Sequence, residues 1–255
     1  MRILCIGNSI TAGNTGVSFV RMMRAANPDW KIVNKGINGE PLYNIGDRLI
    51  RHLKKDPLFD RIVIEAGIND LLLPALEKRG GLYRFVIGRE RKHEIRPLED
   101  PGKFRKFYSV LLKEARLYTR ASIVLVNISR INEGASPQSI GLQSEYNSII
   151  ASLAAQANYS LADVASLFDE ALGSPGENRD YLCENFWSTS FWDGLRCYLP
   201  GQADKLSAAR KLRLTIDGVH LNTAGARLYA TAISRALKTS ARIIPVQGHL
   251  QQNFL

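Results

Sequence analysis

The chain has 255 residues, 45% hydrophobic, 23% charged and 8% aromatic, with 34 Lys and Arg against 24 Asp and Glu, a net charge of +10. Those fractions exclude disordered, collagenous and disulfide-scaffold classes, and a chain of this length buries roughly 70–75% of its unfolded surface without help from a metal or disulfide. The sequence pI near 9.6 makes a polyanionic partner the first question to settle.

Residues 2–6 read as a short buried strand ending at Gly7. Residues 17–26 follow as a helix, with Val17, Val20 and Met23 three apart. A second short strand covers 31–33. An amphipathic helix covers 44–55 and ends in Lys54 and Lys55, where cations suit the helix dipole. Residues 61–66 form a third strand, closed by Gly67. A helix at 102–118, the apolar strand 123–126, a helix at 138–157 and a weaker strand near 159–164 come next. The last helix spans 223–238, capped by Asn222 or Thr223.

Strands alternating with helices predict a parallel sheet covered on both faces, and continuous apolar strands fit that burial. Residues 79–100, which are basic, and 173–212, which are long, aromatic and polar, break the alternation. They read as loop insertions in one domain, 1–240, followed by a tail, 241–255.

The three cysteines, Cys5, Cys183 and Cys197, show no metal-binding or disulfide spacing. Cys5 reads as a small buried hydrophobe, and Cys183 and Cys197 could pair only in an exported protein. No apolar run approaches the roughly 18 residues of a membrane span. Residues 3–6 are too short for a signal-peptide core, so a cytoplasmic location is the default expectation.

In parallel sheets of this kind ligands bind outside the carboxyl ends of the strands. Four segments are expected to converge there: Gly7-Asn8-Ser9-Ile10-Thr11 after the first strand, Asn34-Lys35-Gly36-Ile37-Asn38-Gly39 after the second, Gly67-Ile68-Asn69-Asp70 after the third, and Asp217-Gly218-Val219-His220-Leu221 before the last helix. A serine hydroxyl needs a base to become a nucleophile. An imidazole supplies one near neutral pH, and a carboxylate on its other nitrogen fixes the tautomer. The Asn69 amide, the unshielded N–H of Gly39 and the N–H of Ser9 together supply an oxyanion hole.

These four segments, in this order, resemble the signature blocks of the SGNH hydrolases, the GDSL esterase/lipase family. Each alone is weak. Together, each at a strand end or helix start, they are specific, and with their flanking elements they span residues 3–238. The resemblance implies a three-layer α/β/α sandwich with a five-stranded, flavodoxin-like parallel sheet. It implies ester hydrolysis through an acyl-enzyme, with Ser9, His220 and Asp217 as the triad and Ser9, Gly39 and Asn69 as the oxyanion hole. It also implies that no metal or organic cofactor takes part. One position departs from the pattern: Asn8 stands where the family most often has Asp, which puts local loop geometry and pH response in question.

Other polar residues read as bystanders. Of the four histidines, only His220 has an Asp at triad-block spacing; His52 reads as lying on a solvated helix, His93 in the basic loop and His249 in the tail. Asp70 reads as a cap on its own turn, and Asp163 and Asp169 as structural. Gly36 and Asn38 read as turn formers, with Asn38 also a substrate-contact candidate. The glycines at 7, 13 and 16 fit no phosphate-binding motif. The insertion at 173–212 holds Trp187 and Trp192, which read as a lid or an acyl or sugar platform over Ser9, with a satellite core beneath the loop as the alternative. Residues 79–106 carry nine Lys and Arg against four acids, half the chain's excess. A solvated loop explains that, and an anionic glycan or lipid headgroup explains it more sharply; no nucleic-acid motif supports a specific nucleic-acid partner.

The reading that results is a serine ester hydrolase acting on a small-molecule, glycan or lipid ester. A carbohydrate O-deacetylase on the same fold is the alternative. An idle binding module and a polyanion-binding protein rank below both. Acyl length, alcohol partner and oligomeric state have no signature in the sequence.

Overall fold

The structure is a computed structural model that describes residues 1–78, 80, 95–173, 193–197, 199 and 201–239. Five parallel strands, β1 (Arg2–Gly7), β2 (Lys31–Gly36), β3 (Arg61–Glu65), β4 (Ser122–Val126) and β5 (Ser160–Ala162), form one sheet in the order β2-β1-β3-β4-β5. Ile3, Leu4, Cys5 and Ile6 of β1 are completely buried, and so are Val124 and Leu125 of β4. Both faces of these strands are covered, which is why their sequences do not alternate.

Two sets of helices do the covering. The helices α2 (Phe19–Ala26), α7 (Val164–Leu172) and α10 (Thr223–Thr239) pack together, as do α3 (Leu42–Lys55), α5 (Pro101–Tyr118) and α6 (Pro137–Gln156). Several starts follow local chemistry. Ser136 and Asp100 cap α6 and α5 through their side-chain oxygens, each followed by a proline in the first helical turn. Asn222, rather than Thr223, caps α10: its Oδ1 accepts the Gly225 N–H at 3.0 Å. The Thr223 hydroxyl donates instead to Asp204.

Three helices beyond the predicted set lie in this part of the chain. The single turn α1 (Ser9–Ala12) follows β1 directly, and α4 (Ile68–Lys78) follows β3 despite an internal proline, Pro74. The third, α7, follows β5, which is only three residues long. Strand β2 runs on to Gly36, three residues past its expected end. A Cβ at Gly36 would stand 2.1 Å from the Ala12 nitrogen. Close approach of α1, not a turn, therefore requires this glycine. Within 173–212, predicted as a loop, residues near its end form α8 (Asp193–Cys197) and α9 (Gln202–Ala209).

His52 is half-buried on α3. Its ring lies 5.8 Å from that of Phe59, and its Nε2 is buried without a partner. Cys5 is fully buried, which pushes its thiol pKa up to about 12 and makes it inert. Asp163 caps α7 and accepts from Asn127, and Asp169 pairs with Arg130. Cys183, His93 and His249 lie outside the described residues, as does most of the basic stretch. Among the described residues, no helix is long and apolar enough to cross a membrane.

From β1 the chain steps to β2 on one side, then to β3 on the other. The carboxyl end of β1 is therefore the switch point of the sheet, where open α/β folds form a crevice.

Candidate active site

Ser9 sits at that switch point as the first residue of α1. The turn that carries it is tied at both ends. Asn8 Oδ1 accepts the Ile10 N–H at 2.9 Å, and Gly13, in the left-handed region, donates to the Ser9 carbonyl. Beneath it lies Glu65, the last residue of β3, which is buried. Its carboxylate accepts from Asn8 Nδ2 at 2.8 Å, from the Asn8 N–H at 3.3 Å and from the Thr11 hydroxyl at 2.9 Å. Burial raises the Glu65 pKa, and these donors oppose that rise. A Cβ at Gly7 would lie 2.3 Å from Thr11 Oγ1 and 2.7 Å from Glu65 Oε2, so only glycine fits above this carboxylate.

Asn8 thus serves its neighbour through its amide donor. The family's Asp at this position would instead bring a second carboxylate against Glu65.

His220 and Asp217 arrive from the loop before α10. His220 Nε2 lies 3.0 Å from Ser9 Oγ, and Nδ1 lies 2.6 Å from Asp217 Oδ2. The other Asp217 oxygen accepts the N–H groups of Val219 and His220 at 2.9 and 2.8 Å. Asp217 is fully buried. Desolvation alone would raise its pKa, but the His220 charge and these hydrogen bonds lower it below the usual carboxylate range. Burial alone would lower the His220 pKa. The charge and hydrogen bond of Asp217, with a smaller contribution from Asp193, raise it above the ordinary histidine value of about 6.5.

Gly39 and Asn69 are the other two residues expected at the site from the sequence. Gly39 has φ +77°, and a Cβ there would meet nothing within 4 Å, so conformation rather than crowding requires the glycine. The Asn69 amide donates to the Glu40 carbonyl at 3.0 Å. That bond holds Asn69 beside the Gly39 turn and leaves its second amide hydrogen for another acceptor.

Arg48 on α3 ties this turn to β1, the strand that leads into Ser9. It donates to the carbonyls of Gly7, at 3.1 Å, and of Lys35, and pairs with the Glu40 carboxylate.

Asp70 does not cap its own turn as expected. It is buried and accepts the N–H groups of Leu42 and Leu98, each at 2.8 Å, joining the start of α3 to the chain that enters α5. Burial pushes its pKa up to about 7. Asn38 lies exposed in the turn before Gly39. Trp187 and Trp192 lie outside the described residues.

Four supporting residues, Glu65, Arg48, Arg210 and Asp193, escaped the sequence reading. Glu65 had a usable signal, a lone acid at the end of the apolar run Ile62-Val63-Ile64. Arg210 and Asp193 had none. They form a buried ion pair at 2.7 Å, and Arg210 also donates to the carbonyl of Ile216, the residue before Asp217.

Solved structures with this fold include the acetyl xylan esterase AlAXEase, at 20% identity and a TM-score of 0.61, covering 93% of this chain and 100% of its own. Axe2, an acetylxylan esterase from Geobacillus stearothermophilus, matches at 19% identity and a TM-score of 0.60, covering 92% and 93%. LAE5, an alpha/beta hydrolase enzyme from the metagenome of Lake Arreo, Spain, matches at 17% and 0.61, covering 94% and 96%. At such identities the likeness establishes the fold. Comparison with curated proteins returned no match. Residues 5–228 match the GDSL-like lipase/acylhydrolase family over most of the chain. The chain therefore belongs to that family and is a carboxylic ester hydrolase.

Proposed function

We propose that this serine esterase works through Ser9 as nucleophile, His220 as base and then acid, and Asp217 as the group that orients His220. The observation that carries the reading is the continuous chain from Ser9 Oγ to His220 Nε2 at 3.0 Å and from His220 Nδ1 to Asp217 at 2.6 Å. Ser9 Oγ attacks the ester carbonyl as His220 Nε2 takes its proton. The oxyanion is held by the N–H groups of Ser9 and Gly39 and the Asn69 amide. His220 returns the proton to the leaving alcohol, and the acyl group stays on Ser9. A water then attacks that acyl group by the same route, releasing the acid and restoring the hydroxyl.

A carbohydrate O-deacetylase is the second reading. The structural neighbours described as acetyl xylan esterases favour a small acyl group on a sugar. The substrate is in either case a small-molecule or glycan ester.

Ser9→Ala tests the nucleophile. Hydrolysis of p-nitrophenyl acetate and labelling by a fluorophosphonate should both vanish while the circular dichroism spectrum is kept. Activity near wild type in that variant overturns the assignment. A series of p-nitrophenyl esters from acetate to palmitate, run beside acetylated xylo-oligosaccharides, separates the two readings. Faster turnover of the acetylated sugars favours the deacetylase, and faster turnover of long acyl chains the lipase.

A further inference from the structure

The segment that carries Asp217 and His220 belongs to no helix or strand. Its shape is imposed from a distance. Glu133 lies between β4 and α6 and is largely buried. One of its carboxylate oxygens accepts from the Leu214 N–H at 2.9 Å, the Thr215 N–H at 2.8 Å and the Thr215 hydroxyl at 2.7 Å. The other accepts the Arg213 N–H at 2.7 Å. Three consecutive backbone donors thus converge on one side chain.

The Thr215 hydroxyl has a second task. While it donates to Glu133, it accepts the N–H of Gly218 at 3.1 Å. The Gly218 carbonyl in turn accepts the N–H of Asn132 at 2.8 Å. The chain is therefore gripped on both sides of Asp217, by the same two-residue segment, Asn132 and Glu133. Gly218 has φ +98°, and a Cβ there would come within 3.3 Å of the Asn132 Cα, so the grip closes on a backbone shape that favours glycine.

From this arrangement we infer that Glu133 and Thr215 form a latch that positions Asp217 for its bond to His220. The inference rests on reading Asp217 and His220 as the acid–base pair. Neither residue of the latch touches the reacting atoms; both are positioning residues. Their importance follows from geometry: Asp217 holds the imidazole through one short bond. A misplacement of about 1 Å in such a group costs on the order of 100-fold in rate. Replacing the Thr215 hydroxyl by a methyl breaks the link between Glu133 and Gly218 while preserving side-chain volume.

The test compares Thr215→Val with Thr215→Ser. Measured on p-nitrophenyl acetate, Thr215→Val should lower kcat by roughly 10–100-fold and change KM by less than about twofold, because the loss falls on the chemical step. Thr215→Ser keeps the hydroxyl and should restore kcat to within about threefold of wild type. Glu133→Gln exchanges an accepting oxygen for a donor. It should lower kcat at least as far as Thr215→Val, and it stands in if that variant fails to fold.

A lowered Tm with unchanged kcat in Thr215→Val, or a Thr215→Ser variant as slow as Thr215→Val, would overturn the latch. Ser9→Ala keeps the two readings apart. If it retains activity, the triad assignment fails. If it is inactive while both latch variants turn over at the wild-type rate, the latch alone fails.

Discussion

The two halves of the site are built differently. The half that carries Ser9 grows out of the sheet: β1 runs directly into α1, and Glu65 on the adjacent strand holds the turn through three hydrogen bonds. The half that carries His220 and Asp217 is irregular chain, held by Glu133 from some 80 residues away and by the Arg210–Asp193 pair. The first half inherits its precision from strand pairing. The second has no strand to fix it and depends on side chains reaching in from other segments, the Glu133 carboxylate and the buried Arg210–Asp193 pair, and buried charge is costly when a partner is lost. Rate and stability should therefore respond differently when each half is disturbed.

The largest effect should come from the centre of the site, where the halves meet. His220→Ala should lower kcat by on the order of 10⁶-fold, with Asp217→Asn less severe at about 10⁴-fold, both in steady-state assays of a p-nitrophenyl ester. An Asp217→Asn variant as active as wild type would show that the acid does not orient the imidazole.

Next comes the buried pair on the irregular side. Asp193→Ala leaves the Arg210 guanidinium uncompensated and should cost about 3–5 kcal/mol of stability in urea unfolding. On the sheet side, Asn69→Ala removes one oxyanion donor and should lower kcat by about 100–1000-fold with the midpoint of unfolding little changed. If instead Asp193→Ala leaves stability untouched, the contrast between the halves dissolves.

Asn8→Asp should be milder. It replaces the donor to Glu65 by a second buried carboxylate, so one of the two must take a proton or the turn must shift. A loss of about 1–3 kcal/mol at neutral pH is expected, smaller in mild acid, where protonation relieves the pair.

The smallest effect is a displacement along the pH axis. With His220 as the proposed base, catalysis needs it neutral, so kcat/KM should rise with pH through an apparent pKa above 6.5, because Asp217 favours the imidazolium. The ion pair contributes to stability in the opposite sense. Its contribution is complete below the unfolded histidine pKa of about 6.5 and is lost as pH rises through the higher folded value. A pH–rate profile flat down to about pH 5 would count against His220 as base.

The same contrast explains what the sequence made legible. Ser9, Gly39 and Asn69 each follow a strand whose apolar run is visible, and His220 has its partner three residues away. Local patterns therefore singled out each of them as a candidate. Glu133 sits in Ile131-Asn132-Glu133-Gly134, which has no periodicity, and its partners are 80 to 82 residues distant. Nothing local could announce it. Gly36 was misread because close packing against Ala12 and a turn leave the same mark, a glycine at a strand end. The single turn α1 and the nine-residue α7 escaped because short helices carry too few apolar positions to show a period.

Ser9 and His220 are 211 residues apart. At a synthesis rate of about 5–20 residues per second, the nucleophile emerges roughly 10–40 s before its base. If His220 is the base, Ser9 has until then no group to take its proton. On the proposed roles the long sequence span is also a timer, because hydrolysis waits until the chain has been made as far as His220, just before α10.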